Sequence, residues 1–295
     1  MVDKYLPASK SNYVFRDHPN GERFQKLYKA TTDDERASVH ELPYMSIVGA
    51  LLYVAVMSRP DIAYHTSLLA KFMSDPTLEC YECAVALLLY VAHKPNTKIT
   101  YDGSKFVPYI RGKDSEHSNP LDPYRDSIKR NGGFMAYSDS SWGNDVPYPM
   151  FGFCVYLFGG IVSFASKQLK VIAFSSCEAE YAACSFCCRE IEFIRFICAD
   201  MGFTLNGKLC LIVDNSAAID VANNMGVTAR TKHFKMAVHY FRDLVQHNSI
   251  VPIHCFTYYQ RADGFTKGLS KAKHIEWTNA LYNFKLAAIY KGVLN

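Results

Sequence analysis

The sequence predicts an α/β fold, a mixed five-stranded sheet with flanking helices, preceded by a small helical unit. Three observations carry that expectation. The C-terminal half alternates between strand-like and helix-like text in the order β-β-β-α-β-α-α-β-α, as a mixed sheet with helices on its faces requires. The text before it repeats apolar residues at helical spacing in three runs, separated by Ser-Arg-Pro and Ser-Asp-Pro breaks at which proline stops a helix. A chain of 295 residues, 49% hydrophobic and 20% charged, is long and apolar enough to bury a full core.

Taken in order, residues 1–42 are polar, carry Asp-His-Pro-Asn-Gly and Thr-Thr-Asp-Asp-Glu-Arg, and show no sustained period, so an extended lead-in is expected. The apolar runs 44–56, 61–73 and 78–91 predict three helices within a helical segment 43–104. Residues 105–131 turn Gly-, Pro- and charge-rich and read as a linker or surface excursion. Within 132–270, residues 134–138 form a β-run, and 151–158 with 161–165 form a hairpin about the Gly159-Gly160 turn. A long helix over 176–201, a buried strand over 208–213, a short helix over 216–223, a helix over 231–247 and a strand over 250–256 follow, with a short helix after Gln260. Residues 271–295 read as a C-terminal helical tail.

The net charge of +4 permits a polyanionic partner without requiring one. Most of the ten cysteines sit in apolar, helix-patterned text such as Tyr-Ala-Ala-Cys-Ser-Phe-Cys-Cys. They read as small buried hydrophobes of a reducing compartment, with no disulfide partner. Cys80 and Cys83 form a CxxC, but no second pair stands at zinc spacing. The first residues are charged, which argues against a secretory leader. The longest apolar run, 47–57, is too short to span a bilayer. An intracellular protein with no membrane partner is expected.

Four acidic positions stand where a strand ends or a helix begins. They are Asp139 in Tyr-Ser-Asp-Ser-Ser-Trp, a glutamate in Ser-Ser-Cys-Glu-Ala-Glu-Tyr, Asp214 in Leu-Ile-Val-Asp-Asn-Ser and Asp263 in Arg-Ala-Asp-Gly-Phe-Thr-Lys. Carboxylates gathered from distant segments into one pocket repel each other, and divalent metal relieves the repulsion. Each has a plainer reading. Asp139 could form a turn, Asp214 could cap the next helix, and Asp263 could cap the last. Of the glutamates, taking Ser175 as N-cap puts Glu178 at N3 as the reciprocal partner of a capping box. Glu180 is then the preferred ligand, with Glu178 the alternative.

The motifs Tyr-Ser-Asp-x-x-Trp, Ser-Lys-Gln, Ser-Ser-x-Glu-Ala-Glu-Tyr, Asp-Asn-x-x-Ala-Ile, Arg-Thr-Lys-His and Ala-Asp-x-x-Thr-Lys resemble the C-terminal ribonuclease H domain of copia-type retrotransposon Pol polyproteins. Upstream, Tyr44-Met-Ser-Ile-Val-Gly-Ala-Leu-Leu-Tyr, Ser58-Arg-Pro-Asp-Ile-Ala-Tyr and Phe72-Met-Ser-Asp-Pro look like the thumb or connection segment of the reverse transcriptase in the same polyprotein. The resemblance implies a ribonuclease H-like sheet preceded by that helical thumb or connection unit. It implies two Mg²⁺ ions, with Mn²⁺ as a substitute, held by Asp139, Glu180, Asp214 and Asp263, and hydrolysis of the RNA strand of an RNA/DNA hybrid. Asn215 and Ser216 would contact the nucleic acid, and the basic cluster Arg230, Lys232 and His233 would hold phosphates, although exposed cations are often merely solvated.

The remainder of a Pol polyprotein is the implied protein partner. The implied location is the cytoplasm, within a virus-like particle for an active element, or the nucleus. Three departures from the family wording are Ser141, where an acid is usual, Val146-Pro-Tyr-Pro-Met-Phe before the second strand, and Thr257-Tyr-Tyr in place of commonly acidic text. The Asp-Asp polymerase palm is not in this sequence, so a Pol fragment that is not a polymerase on its own is expected. The alternative function is a catalytically weak nucleic-acid-binding remnant.

Overall fold

The computed structural model describes residues 5, 18–19, 21–103, 107–113, 118–142, 148–170, 173–224 and 239–282. The chain divides into two compact units, Met1–Ile99 with Lys267–Thr278, and Thr100–Thr266 with Asn279–Asn295.

The first unit is helical. Helices α1 (Gly21–Phe24) and α2 (Asp33–Ala37) lie in the stretch expected to be extended, and Phe24 and Val39 are buried in this unit's core. Helices of four and five residues are too short for an apolar period to show. The start of α2 was nevertheless encoded: Thr32 caps it and Glu35 returns the bond in a capping box. Helices α3 (Tyr44–Ser58), α4 (Ala63–Ala70) and α5 (Leu78–His93) follow, and α3 packs on both of the others. Ile47, Val48, Leu51 and Ala55 form the buried face of α3 and meet Leu69, Leu87 and Leu88. Each such fully buried aliphatic side chain is worth about 1.5–3 kcal/mol. The run expected as one helix over 61–73 is split, because Pro60 opens a separate 3₁₀ turn, Pro60–Ile62. That turn buries an ion pair, Arg59 Nη2 to Asp61 Oδ2 at 2.8 Å, with the Tyr90 hydroxyl donating to the same oxygen at 2.7 Å.

The second unit is built on a sheet. Residues 107–131, read as linker text, hold a 3₁₀ turn, Asp122–Tyr124, and α6 (Arg125–Arg130), with Val107, Ile110, Leu121 and Ile128 buried. These apolar residues are too widely spaced among prolines and charges to advertise themselves. Strands β1 (Met135–Ser141), β2 (Met150–Leu157) and β3 (Gly160–Gln168) form an antiparallel meander. The connection of β2 to β3 is the pair Phe158 (φ 52°) and Gly159 (φ 87°), one residue earlier than the Gly159-Gly160 turn expected. A two-residue hairpin turn of this hand needs positive φ at both positions, and Gly160 pairs with Leu157 in the ladder.

Helix α7 (Ser176–Asp200), β4 (Leu209–Val213), α8 (Ser216–Asn223), α9 (Tyr240–Gln246), β5 (Ile250–His254), 3₁₀ turns Thr257–Tyr259 and Asp263–Phe265, and α10 (Lys271–Tyr282) complete the order. The expected start of α9 at 231 lies outside the described residues. The sheet order is β3-β2-β1-β4-β5, with β4 parallel to β1 and β5 parallel to β4. This is the mixed five-stranded arrangement that the sequence resemblance implies. Every residue of β4 is buried, as a central parallel strand demands, while Pro252 sits on the edge strand β5, where a missing N–H is tolerated. Helix α7 packs on β1 and β2 through Ala179, Ala183, Cys187 and Ile191 in the main core. Every cysteine but Cys177 is buried.

Two parallel neighbours, β1 and β4, run in one direction, and the pairing of Tyr137 with Ile212 stands two residues before Asp139 on one strand and two before Asp214 on the other. Active sites of α/β sheets form at the carboxyl ends of such strands.

Candidate active site

Asp139 lies within β1, two residues from its end; Asp214 directly follows β4; Glu180 lies in the second turn of α7. One carboxylate oxygen from each of the three falls within 4.8 Å of the others. Asp139 and Glu180 are 3% and 6% exposed, and Asp214 is half-buried. Like charges at such a separation repel by about 3–4 kcal/mol at an effective dielectric near 20. The Glu180 carboxyl accordingly stands well above the ordinary carboxylate range, first because burial penalises its charge and then because Asp139 and Asp214 face it.

The local sequence places each acid for an identifiable reason. Ser175 caps α7, its hydroxyl accepting from the Glu178 N–H at 3.2 Å. The Glu178 carboxylate accepts from the Phe174 N–H at 2.9 Å, which fastens it to the chain ahead of the helix, on a residue one earlier than a capping box would use. Glu180, two residues on, turns to the sheet, and its Oε1 accepts from the Ser140 N–H at 3.1 Å. Its Oε2 is buried with no hydrogen-bond partner. The Asp214 Oδ2 accepts from the Thr257 hydroxyl at 2.8 Å, while its neighbour Asn215 is the residue that caps α8, accepting from the Ala218 N–H at 3.1 Å. Ser216 is the first residue of α8.

Asp263 does not join the three. It opens the 3₁₀ turn Asp263–Phe265 and is connected to them through Thr266, whose hydroxyl donates to Asp139 Oδ2 and lies 3.0 Å from the Asp263 carbonyl. Arg230, Lys232 and His233 lie outside the described residues. A three-carboxylate donor set with one buried, unpartnered oxygen fits a hard divalent cation.

Over 252 residues the chain is 27% identical to the retrovirus-related Pol polyprotein from transposon TNT 1-94 of Nicotiana tabacum, an alignment covering 85% of this chain and 17% of the tobacco protein. Over 230 residues it is 30% identical to the Pol polyprotein from transposon RE1 of Arabidopsis thaliana, covering 77% of this chain and 14% of that protein. Its homologues are copia-type retrotransposon Pol polyproteins. This chain thus spans about a sixth of the length of these Pol polyproteins. Among solved structures, ribonuclease H1 from the halophilic archaeon Halobacterium salinarum aligns with 45% of this chain and 93% of its own at 18% identity, with a TM-score of 0.34. No family model matches the chain.

The Pol-like motifs carried more than the acids first drawn from them. Thr266 is the threonine of Ala-Asp-x-x-Thr-Lys, and Thr257 begins the Thr-Tyr-Tyr that departs from the family wording; each donates to one of the clustered aspartates. Gln260, which the sequence offers only as the residue before a short helix, also serves the site. Its Nε2 donates to the Ser138 carbonyl at 2.9 Å, with the Ile212 carbonyl at 3.5 Å, and so braces β1 and β4 next to their acids. A glutamine two residues before an Ala-Asp is the sequence signal for it.

Proposed function

We propose that this chain is a metal-dependent ribonuclease H that hydrolyses the RNA strand of RNA/DNA hybrids. The observation that carries the reading is the convergence of Asp139, Glu180 and Asp214 from β1, α7 and the end of β4. The Pol homologues support it. Asp139, Glu180 and Asp214 would hold the cation, two Mg²⁺ ions or Mn²⁺ in their place, with Asp263 contributing from its turn. Bound divalent metal supplies Lewis acidity at the phosphate and an activated water.

The chain's own groups prepare that site. The Ser140 N–H fixes one oxygen of Glu180 and leaves the other available. The Thr257 and Thr266 hydroxyls each hold one oxygen of Asp214 and Asp139. Backbone groups after Asp139, with Asn215 and Ser216 at the head of α8, would meet the hybrid's sugar-phosphate backbone, and Arg230, Lys232 and His233 its phosphates. The rest of a Pol polyprotein is the proposed protein partner.

A second reading, a nucleic-acid-binding remnant with little catalysis, is favoured by one observation: Asp263 stands outside the carboxylate group. A labelled RNA/DNA hybrid incubated with Mg²⁺ and either the unaltered protein or Asp214→Asn separates the two. Cleavage by the unaltered protein alone supports the nuclease. Hybrid binding without cleavage by either supports the remnant, and equal cleavage by both ends the assignment of the site.

A further inference from the structure

Asp139, Gly152 and Ser166 lie in one row across β1, β2 and β3, since Asp139 pairs with Gly152 and Gly152 with Ser166. The turn Asp263–Phe265 and the following Thr266 are seated on this row. The Ser166 hydroxyl donates to the Phe265 carbonyl at 2.6 Å, and the Phe265 ring stacks on Phe164 with centroids 6.0 Å apart. A Cβ on Gly152 would collide with the Cβ of Phe265 and stand 3.1 Å from Cγ2 of Thr266. A bare glycine opposite Asp139 is therefore what admits Thr266 to this position. From there the Thr266 hydroxyl, 1% exposed as a residue, donates to Asp139 Oδ2.

We infer that Thr266 is a positioning residue for Asp139, seated by Gly152 and Ser166, so that the segment ending at Thr266 sets the rotamer of the carboxylate before any cation arrives. The inference rests on the proposed role of Asp139 as a ligand. A buried carboxylate with one oxygen on a hydroxyl cannot swing freely about its χ angles, and its second oxygen keeps a fixed direction. Charge-assisted bonds of this kind are short and directional, and the carboxylate is a stronger acceptor for the single hydroxyl proton than the Asp263 carbonyl. The same segment acts twice more: Gln260 ties the carbonyl of Ser138, just before Asp139, towards that of Ile212, and Thr257 holds Asp214. Partners that orient metal ligands change metal affinity by about 10–100-fold when removed.

The test uses the full chain without nucleic acid and measures Mn²⁺ affinity by calorimetry for the unaltered protein, Thr266→Val and Thr266→Ser. Valine keeps the volume and removes the donor; serine keeps the donor. The expected result is affinity weakened at least about tenfold in Thr266→Val and restored to near the unaltered value in Thr266→Ser. Equal affinity in all three, or an equal loss in both variants, overturns the inference. A metal-free thermal double-mutant cycle of Thr266→Val with Asp139→Ala accompanies it. Non-additive melting shifts support the bond between the two side chains, and additive shifts overturn it. Should the unaltered protein bind no Mn²⁺, the proposed function fails while the cycle still decides the positioning.

Discussion

The Ser140 backbone N–H donates to Oε1 of Glu180 across 3.1 Å and leaves Oε2 of that glutamate buried without a partner. A strand amide thus fixes one oxygen of a helix carboxylate that also faces Asp139 and Asp214. Without a cation the cluster is a local cost to the fold. Glu180→Gln should raise the metal-free melting temperature by about 2–6 °C, on the scale of 1–2 kcal/mol for a chain of this size. The same change should erase the rise that Mg²⁺ gives the unaltered protein and lower cleavage roughly a thousandfold, the equivalent of about 4 kcal/mol. Calorimetric melting with Mg²⁺ or EDTA checks the first pair of outcomes. A metal-free melting temperature that falls on removing Glu180 would contradict them.

Glu178 and Glu180 should separate cleanly in function. Glu178 is bonded to the Phe174 N–H and its own N–H to Ser175, so Glu178→Gln should keep most of the cleavage that Glu180→Gln loses. Ser175→Ala should cost about 1 kcal/mol of stability, the usual effect of removing an N-cap. Hybrid cleavage rates and urea midpoints of the three variants are the measurements.

In the helical unit, Arg59 and Asp61 form a two-pronged pair, Nε to Oδ1 and Nη2 to Oδ2, both at 2.8 Å, with both residues buried. Removing one member strands a buried charge. Arg59→Met should destabilise the protein by about 3–5 kcal/mol, and Arg59→Met with Asp61→Leu should recover a large part of that. Urea unfolding of both variants decides it; a double variant no better than the single would contradict the account.

Acid should loosen the same unit through two histidines. His65 is fully buried with neither ring nitrogen hydrogen-bonded. Its ring faces Phe24, Tyr64 and His274. Burial pushes His65 down to about 3, reinforced by His274 and His18 and opposed by Asp61. Burial likewise pushes His274 down to about 4, with Asp61 opposing and Lys94 and His18 assisting. Both folded values lie below the ordinary 6.5, so between them the unfolded chain binds more protons. Stability is then fully present above about pH 6.5 and falls as pH drops towards 3–4, by up to about 1.4 kcal/mol per pH unit for each histidine. Trp277, whose ring is 5.8 Å from that of His274, reports the transition in a Trp142→Phe background. His65→Phe should flatten the dependence, and an unchanged slope would refute it.

What was legible in the sequence was local. The Ser-x-x-Glu of α7 announced its cap, the Asn215 side chain lay one residue before a recognisable helix, and Ser216–Asn223 has the bounds expected. The three clustered acids could be singled out because in the sequence Asp139 and Asp214 each follow a strand-like run and Glu180 follows a helix cap. The seating of Thr266 could not be read, because it depends on register: only the pairing of Asp139 with Gly152 shows that a glycine in β2 makes room for a threonine more than a hundred positions later. Asp263 is the converse case. Its motif resembles those of the other acids, but only the tertiary fold sets it at the head of a 3₁₀ turn, beside rather than among the three carboxylates that lie mutually within 4.8 Å. The helices within 1–42 and 105–131 were hidden by their brevity.

The first unit is not contiguous in the chain: its closing segment, Lys267–Thr278, is made only after the bulk of the second unit. Gly268 lies so near Gly21 that a Cβ on either would strike the other's backbone, so this late segment fills a seam that the early helices leave open. On a ribosome adding about 5–20 residues per second, helices α3–α5 would wait on the order of ten seconds or more for that seam to close. Nascent chains stalled before Lys267 would expose it to chaperones and proteases, and an expression product cut at Ile99 would carry the gap permanently.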